Sequence, residues 1–258
     1  MRIALSSVCL PDLSWREVLA AAATAGYRDV ELLAIQGWKH IDPYSITAAE
    51  IQVETKRTGV QIISLHAGGL DGLDDTTIAA TEQYLRRVLQ LAHELGVPLV
   101  NVNGGMMPTT GGDRQPMLQR IGTALRRIAP VLEQLDLRLT LENHFNFQIE
   151  QPDHYDGLLV SPRIGVTIDT GHFTAAGVDM PPFIRRLGQR VFHVHIKDHI
   201  GQESVALGDG QTDNAGVIAA LREIGYAGYL SVELELHNPA ARLPAVQAAL
   251  PYLRRLLA

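Results

Sequence analysis

The sequence predicts a single-domain α/β protein that folds as a (β/α)8 barrel over residues 1–258. Short runs rich in aliphatic and β-branched residues alternate eight times with longer segments of helical periodicity. The length of 258 residues matches the ~250 residues typical of such barrels. Several strand-like runs also end in ionisable side chains, at the edge where barrels of this type carry their functional groups. Together these observations favour a closed barrel over an open sheet.

The alternation places eight strands and the helices between them. Strands are predicted near residues 3–7, 28–33, 61–66, 98–103, 138–142, 164–169, 191–196 and 229–234. A helix is expected after each strand, and helical periodicity is clearest over 75–95, 114–134, 213–224 and 239–256. Thr47-Ala-Ala-Glu50 has the form of a capping box that opens the second helix. A glycine suited to ending the preceding helix lies shortly before four strands: Gly26, Gly59, Gly96 and Gly225.

Composition and charge exclude several classes of protein. The 22 basic and 28 acidic residues give a net charge of −6, which offers no general attraction to nucleic acids or anionic membranes. Cys9 is the only cysteine, so no intrachain disulfide forms, and residues 1–6 lack the apolar stretch of a secretion signal. A cytoplasmic location is therefore predicted. No run approaches the ~20 apolar residues of a membrane span, and a homo-oligomer is compatible with the sequence.

Alternate side chains of a barrel strand point inward and outward, and here the two sets differ sharply in polarity. On strand five, Leu139 and Leu141 belong to an aliphatic set suited to packing under helices. The opposite set is polar and is predicted to face inward: Thr140, Glu142, Thr167, Asp169, His193, His195, Ser231 and Glu233. Glu31, His66 and Asn103 have the same inward parity on strands two, three and four.

Four of the inward residues lie at strand ends and predict a metal site: Glu142, Asp169, His195 and Glu233. Three carboxylates and one imidazole form a mostly hard ligand set, so Mn2+ is favoured, with Mg2+, Co2+ and Zn2+ as alternatives. The alternative interpretation is that each group is a buried polar residue paired with a neighbour. Three converging carboxylates without a cation would repel one another and take up protons, which favours one bound divalent ion.

The motifs that carry these residues resemble the xylose isomerase-like TIM-barrel family, over nearly the whole chain. That family includes sugar isomerases, ketose 3-epimerases, inosose isomerases and dehydratases, and more distantly endonuclease IV. The resemblance rests on Val30-Glu-Leu32, Leu141-Glu-Asn143, Ile168-Asp-Thr-Gly-His172, His193-Val-His-Ile-Lys-Asp198, Leu207-Gly-Asp-Gly210 and Gly225-Tyr-Ala-Gly-Tyr-Leu-Ser-Val-Glu233. It implies the same four metal ligands and places His172 and Lys197 beside them.

The ligand set predicts a metal-dependent isomerase or epimerase of a free sugar, inosose or related keto compound. A divalent ion would polarise a ketone and stabilise the enediolate formed when a neighbouring proton leaves. Glu142 and Glu233 are predicted to be the catalytic acid and base, one removing the proton and the other returning it. Return to the opposite face gives an epimer, and return to the neighbouring carbon gives an aldose. A lyase or dehydratase, which would expel a β-leaving group from a keto-sugar or C-glycoside, is the nearest alternative.

His172 and Lys197 are candidate substrate-binding residues. His172 is suited to hydrogen-bonding the substrate oxygen that gains charge, and Lys197 to neutralising that charge. Each also has a purely structural interpretation, in which His172 orients Asp169 and Lys197 pairs with Glu233. The sequence does not separate the two interpretations.

His66 and Asn103 are further candidates for contacts with substrate hydroxyls, with structural hydrogen bonds as the equal alternative. Glu31 is interpreted as the partner of a buried cation such as Arg2, or else as a substrate contact. The segment Trp38–Tyr44 carries aromatic side chains that are suited either to covering a sugar ring or to packing on the surface.

Two departures from the family pattern bear on the substrate. The family's epimerases place an arginine several residues after the metal histidine, whereas this chain reads Lys197-Asp-His-Ile-Gly-Gln202. Endonuclease IV uses a three-metal cluster with further histidines, and Asn103 at the end of strand four makes more metals hard to build. A nuclease and a non-catalytic binding barrel are therefore the weaker alternatives. Asp209 also makes the Gly208–Gly210 loop a poor phosphate site.

Overall fold

A computed structural model describes residues 1–35, 37 and 40–258 of the chain. Eight parallel strands close into a barrel, in which each strand pairs with its neighbours along the chain and the last pairs with the first. The barrel strands are β1 (Arg2–Ser6), β2 (Asp29–Leu33), β3 (Gln61–Leu70), β4 (Leu99–Gly104), β5 (Arg138–Glu142), β6 (Ile164–Asp169), β7 (Val191–Ile196) and β10 (Tyr229–Val232). The predicted single-domain (β/α)8 barrel is thus confirmed.

Helices surround the barrel and a short hairpin follows β7. The helices are α1 (Trp15–Ala25), α2 (Ala48–Thr58), α3 (Asp75–Leu95), α4 (Arg114–Gln134), α5 (Thr170–Ala175), α6 (Met180–Leu187), α7 (Asn214–Glu223) and α8 (Pro239–Leu257). The hairpin consists of the antiparallel strands β8 (Asp198–Ile200) and β9 (Glu203–Val205). Within the described ranges, no helix combines the length and the apolar character needed to cross a bilayer.

The predicted helix ends are found where the local sequence placed them. The Thr47 hydroxyl accepts the Glu50 N–H, and the Glu50 carboxylate accepts the Thr47 N–H at 2.9 Å, which completes the capping box of α2. The four predicted glycines all adopt positive φ angles: Gly26, Gly59, Gly96 and Gly225. Since the left-handed region costs a glycine little, these positions end each helix and turn the chain toward the next strand.

Strand β3 is longer than the sequence predicts. The sequence pattern ends near residue 66, but the strand continues to Leu70 and pairs with β4 through Gly69 and Leu70. The extension contains Gly68 and Gly69, which carry no side chain that signals a strand. Gly68 has a φ of 79°, and the pairing register shifts at this point. The last four residues of this strand could therefore not be predicted from the local sequence.

The expectation of a helix after every strand is wrong for β5. Between Glu142 and β6, where the structure describes every residue, the only helical segment is the 3-10 turn Pro152–Tyr155. Proline at residues 152 and 162, together with Gly157 at a φ of 81°, interrupts any longer helix in this connection. The chain instead forms a loop over the rim of the barrel.

The interior side chains form hydrogen-bonded layers, as strand parity predicts. Thr140 and Thr167 hydroxyls lie 2.9 Å apart, and Thr167 donates to the Asn101 side-chain oxygen at 2.8 Å. Asn101 in turn donates to a Glu142 carboxylate oxygen at 2.7 Å. The outward side chains of the same strands, such as Leu139 and Leu141, are fully buried under the helices. A polar core within an aliphatic shell therefore connects the barrel floor to its C-terminal rim.

We expect Gly72→Ala to destabilise the protein by about 2 kcal/mol, because an added Cβ would lie 2.2 Å from the Met117 carbonyl oxygen at the start of α4. Gly122→Ala, within α4, is the matched control, because the nearest atoms to its added Cβ would lie 3.5 Å away. The control should be neutral or stabilising by up to about 1 kcal/mol. Urea unfolding measures both, and equal effects of the two substitutions would contradict this account.

Candidate metal centre and active site

Four adjacent strands bring the predicted ligands together at the C-terminal rim. Glu142 ends β5, Asp169 ends β6, His195 lies in β7, and Glu233 directly follows β10. One ligand atom from each of the four residues lies within 4.8 Å of all the others. His195 Nδ1 lies 2.9 Å from Glu142 Oε1, 3.3 Å from Glu233 Oε2 and 3.6 Å from Asp169 Oδ2. All four residues are buried.

The donor set of this cluster suits a divalent cation. Two buried oxygens that face the cluster, Asp169 Oδ2 and Glu233 Oε2, accept no hydrogen bond of normal geometry from the described chain. Three carboxylates and an imidazole, with no thiolate, form the hard ligand set that Mn2+, Mg2+, Co2+ or Zn2+ accept. Burial, reinforced by Glu142 and Asp169, raises the pKa of Glu233 despite the opposing charges of His195 and Lys197. A bound cation would relieve that repulsion.

Asp169 is aimed by the helix that follows it. Its backbone N–H donates to the Asn143 side chain at 2.9 Å, and its Oδ1 accepts the His172 backbone N–H at 2.8 Å as the cap of α5. The second oxygen, Oδ2, is left to face the cluster. Gly171 allows this tight turn, because a Cβ there would lie 2.5 Å from the His199 ring and 2.7 Å from Lys197 Cβ.

Glu31 orients the metal-site imidazole. Its carboxylate lies 2.8 Å from His195 Nε2 and 2.7 Å from His193 Nε2, and it accepts a hydrogen bond from the Ser64 hydroxyl. With Nε2 held by Glu31, His195 presents Nδ1 to the other ligands. Burial alone would raise the pKa of Glu31, but the two imidazoles outweigh it and hold that pKa well below its usual range. The expected pairing of Glu31 with Arg2 is wrong, since the Arg2 guanidinium lies over the Tyr229 ring.

Glu142 is held more tightly than Glu233. His66 Nε2 and Asn101 Nδ2 both lie 2.7 Å from Glu142 Oε2, while His195 contacts the other oxygen. Burial raises the pKa of Glu142, yet the His195 and His66 imidazoles outweigh burial and hold that pKa well below normal. Glu142 is thus a fixed, ionised ligand, whereas Glu233 keeps one oxygen free of hydrogen bonds.

Lys197 is fully buried behind the cavity wall. Its Nζ lies 3.1 Å from Asp169 Oδ2, 3.1 Å from Glu233 Oε1 and 2.7 Å from Glu235 Oε2, and it donates to His172 Nε2 at 2.9 Å. Burial alone would lower the pKa of Lys197, but the three carboxylates outweigh it and hold that pKa well above its usual value. Burial and this ammonium hold the pKa of His172 well below normal, which keeps its imidazole neutral.

A cavity of about 350 Å³ lies over the cluster. Glu142, Glu233 and three of the predicted substrate-binding residues, His66, Asn103 and His172, line its polar side. Lys197, the fourth, is not among the lining residues. The opposite side is apolar and is formed by Val8, Leu33, Ile35, Met106 and Phe147. The cavity therefore joins an ionisable wall to an apolar one.

Only part of the segment predicted to form an aromatic lid, residues 38–44, lies among the described residues. Trp38 lies outside the described residues. Tyr44 is exposed and faces Tyr84, with 6.0 Å between the ring centroids, and it does not line the cavity. Ile41 is fully buried in the core. Among the described residues of the segment, none lines the cavity.

Sequence reasoning missed several residues of the site. Asn101 has the same inward parity as Asn103, so strand parity could have identified Asn101 as a residue of the site. His144 and Glu235 lie beyond the strand ends, where parity gives no direction, yet both line the cavity. The His144 ring lies against the His172 ring, with 3.6 Å between ring centroids and 30° between the ring planes. With Glu235 these imidazoles form a second group whose ligand atoms all lie within 4.8 Å of one another.

Comparison with known proteins agrees with this geometry. The family model described as xylose isomerase-like TIM barrel matches residues 19–256. The chain belongs to this family. An L-ribulose 3-epimerase from Methylomonas sp. (strain DH-1) is 25% identical over 230 residues, which cover 84% of this chain and 77% of the relative. An inosose dehydratase from Geobacillus kaustophilus (strain HTA426) is 24% identical, covering 93% of this chain and 87% of the relative.

Solved structures show the same architecture. The crystal structure of an IolI protein with a bound zinc atom superposes with a TM-score of 0.85 at 17% sequence identity, covering 99% of this chain and 98% of that one. This xylose isomerase-like chain therefore shares its fold with a metal-binding protein. It also belongs to an enzyme family that includes sugar epimerases and isomerases.

We expect Glu31→Ala to weaken Mn2+ binding by roughly 10–100-fold, because it removes the carboxylate that fixes the His195 ring. Competition with a fluorescent chelator measures the affinity, and circular dichroism checks the fold. Glu203→Ala, at an exposed carboxylate on β9, is the matched control and should leave the affinity unchanged. Equal affinity in Glu31→Ala and the wild type would contradict the orienting role.

Proposed function

We propose that this protein is a divalent-metal-dependent isomerase or epimerase of an uncharged sugar, inosose or related polyol ketone. The cluster of Glu142, Asp169, His195 and Glu233 at the base of a sugar-sized cavity carries the proposal. These four residues would hold the ion, with Mn2+ as the proposed species because most of the ligands are carboxylates. When bound, the ion supplies the Lewis acid that polarises a ketone and stabilises the charge that develops on its oxygen.

The two glutamates divide the proton transfers. Glu233 lines the cavity and has an oxygen without a hydrogen bond, so it is suited to removing the proton next to the ketone. Glu142 lines the same cavity from β5. It is ionised in the resting site, so it would take up a proton from solvent before delivering it to the substrate from another side. His172 also faces the cavity as a neutral imidazole and can hydrogen-bond a substrate oxygen. Return of a proton to the opposite face of the original carbon gives an epimer, and return to its neighbour gives an aldose.

The charges around the cavity favour a substrate without phosphate. Among the lining residues that the structure describes, three are glutamates and none is lysine or arginine. The loop at Gly208–Gly210, where barrels often bind phosphate, already holds an anion. The Asp198 carboxylate accepts the backbone N–H groups of Gly208, Gly210 and Thr212 at 2.9, 3.1 and 3.0 Å. A phosphate would have to displace this carboxylate.

A dehydratase is the second candidate, because an inosose dehydratase is among the relatives. The same base would remove the proton next to the ketone, and a hydroxyl on the following carbon would then leave as water. Glu233 holds the proton that it has removed, lines the cavity, and is suited to passing that proton to the leaving hydroxyl. The two candidate reactions share the first proton transfer and differ only in the second step.

We expect the Mn2+-loaded protein to exchange a substrate proton with solvent when it is incubated in D2O with a panel of ketoses, inososes and 3-keto-glycosides. Deuterium uptake at the carbon next to the ketone without loss of water supports the isomerase or epimerase, and elimination supports the dehydratase. Phosphorylated ketoses should exchange more slowly than the free sugars. Nuclear magnetic resonance and mass spectrometry follow both outcomes.

Glu233→Gln should lower the exchange rate by roughly 10²–10⁴-fold, because it removes the group that takes the proton. Glu203→Ala serves again as the matched control and should exchange normally. Removal of metal with a chelator should also stop exchange, and Mn2+ should restore it. Exchange at the wild-type rate in Glu233→Gln or in the chelated protein would overturn the mechanism.

A further inference from the structure

The position of Lys197 has a consequence for the number of metal ions that the site can hold. Lys197 is one of only three lysines in the chain, and its side chain is completely inaccessible to solvent. The Nζ atom lies within 3.1 Å of oxygens of Asp169, Glu233 and Glu235. A lysine in this place does not contact the cavity, so its role differs from that of a substrate-binding group.

Two groups of potential metal ligands adjoin at this point. The first is the proposed metal centre, and it contributes Asp169 and Glu233 to the surroundings of Lys197. The second consists of His144, His172 and Glu235. Lys197 Nζ contacts members of both groups. A second divalent ion in this region would meet carboxylates and imidazoles, but the ammonium already occupies the space between them.

His172 gives independent support for a ligand position here. The residue is buried, its Nε2 accepts a hydrogen bond from Lys197 at 2.9 Å, and its Nδ1 has no hydrogen-bond partner within the described chain. An imidazole nitrogen that accepts from an ammonium can instead donate its lone pair to a metal ion. The ring is also packed against the His144 ring, with 3.6 Å between the ring centroids.

We propose that the Lys197 ammonium takes the place of a second divalent ion and thereby limits this site to one metal. The inference rests on the proposed metal-dependent function. Asp169, Glu142, Glu233 and Glu235 together carry four negative charges, which one divalent ion and one ammonium largely balance. Without the ammonium, two negative charges remain uncompensated beside His172 and His144. The space left by the lysine side chain would then have the ligands and the charge to attract another cation.

Substitution of Lys197 tests the proposal through metal content. Purified wild type, Lys197→Ala and Lys56→Ala are dialysed against Mn2+ alone, and the bound metal per chain is measured by elemental analysis. We expect one ion in the wild type, two in Lys197→Ala and one in Lys56→Ala, which removes an exposed lysine of α2. Electron paramagnetic resonance should show an isolated Mn2+ ion in the wild type and a spin-coupled pair in Lys197→Ala.

Two further variants identify the second position and guard against misfolding. Adding Glu235→Gln to Lys197→Ala should return the content to one ion, because it removes a ligand of the second group only. If circular dichroism shows that Lys197→Ala is unfolded, Lys197→Asn is measured instead. Asparagine is polar and shorter than lysine, and the same gain of one ion is expected.

The outcomes separate this inference from the proposed function. A wild type that binds no divalent ion would overturn the proposed metal centre itself. A wild type with one ion and a folded Lys197 variant that also binds one would overturn the role of Lys197 alone. Two ions in the wild type or in Lys56→Ala would do the same.

Discussion

Compensation of buried negative charge is the constraint on which the centre of this barrel depends. Leaving a carboxylate unpaired in a protein interior costs several kcal/mol, so each one requires a partner. Glu31 lies between two imidazoles, Glu142 between His66 and His195, and Asp169 and Glu233 beside Lys197. Because His195 and Lys197 each contact several carboxylates, moving either side chain would leave more than one carboxylate uncompensated. The network therefore holds its members in one arrangement.

Closure of the barrel makes this network possible. The residues that meet are far apart in the chain, and Glu142 and Glu233 are brought together only because β5, β6, β7 and β10 lie side by side. The register of these strands places Asp169 opposite His195 and Ser231 opposite His195 on the other side. Since parallel strands present their carboxyl ends on one rim, ligands at strand ends converge without any contribution from long loops.

Strand parity explains how much of this could be predicted from the sequence. It placed Glu142, Asp169, His195 and Glu233 correctly at the inner rim, because alternation within a strand depends only on local backbone geometry. It could not predict where the side chains of Glu235 and Lys197 point, because both residues lie beyond the ends of regular strands.

In the fold, too, features that depend on neighbouring residues were predicted, and contacts between distant residues were not. Helix caps such as the Thr47–Glu50 capping box depend on a few neighbouring residues and were predicted. The role of Glu31 was missed, because its imidazole partners come from β7, more than a hundred residues away.

The missing helix after β5 explains how the cavity acquires its second wall. Because no helix follows β5, the chain after Glu142 crosses the rim and pairs with the loop after β4. The pairing is an isolated antiparallel β-bridge between Met106 and Phe147. Arg114 fixes this loop by donating to the carbonyls of Phe147 and Gln148. The ionisable wall is therefore built by strands and by residues that follow within three positions of their ends, and the apolar wall largely by loops. Because loops tolerate substitution far better than strands that share a charge network, the chemistry of such a barrel can persist while the surface that recognises the substrate changes.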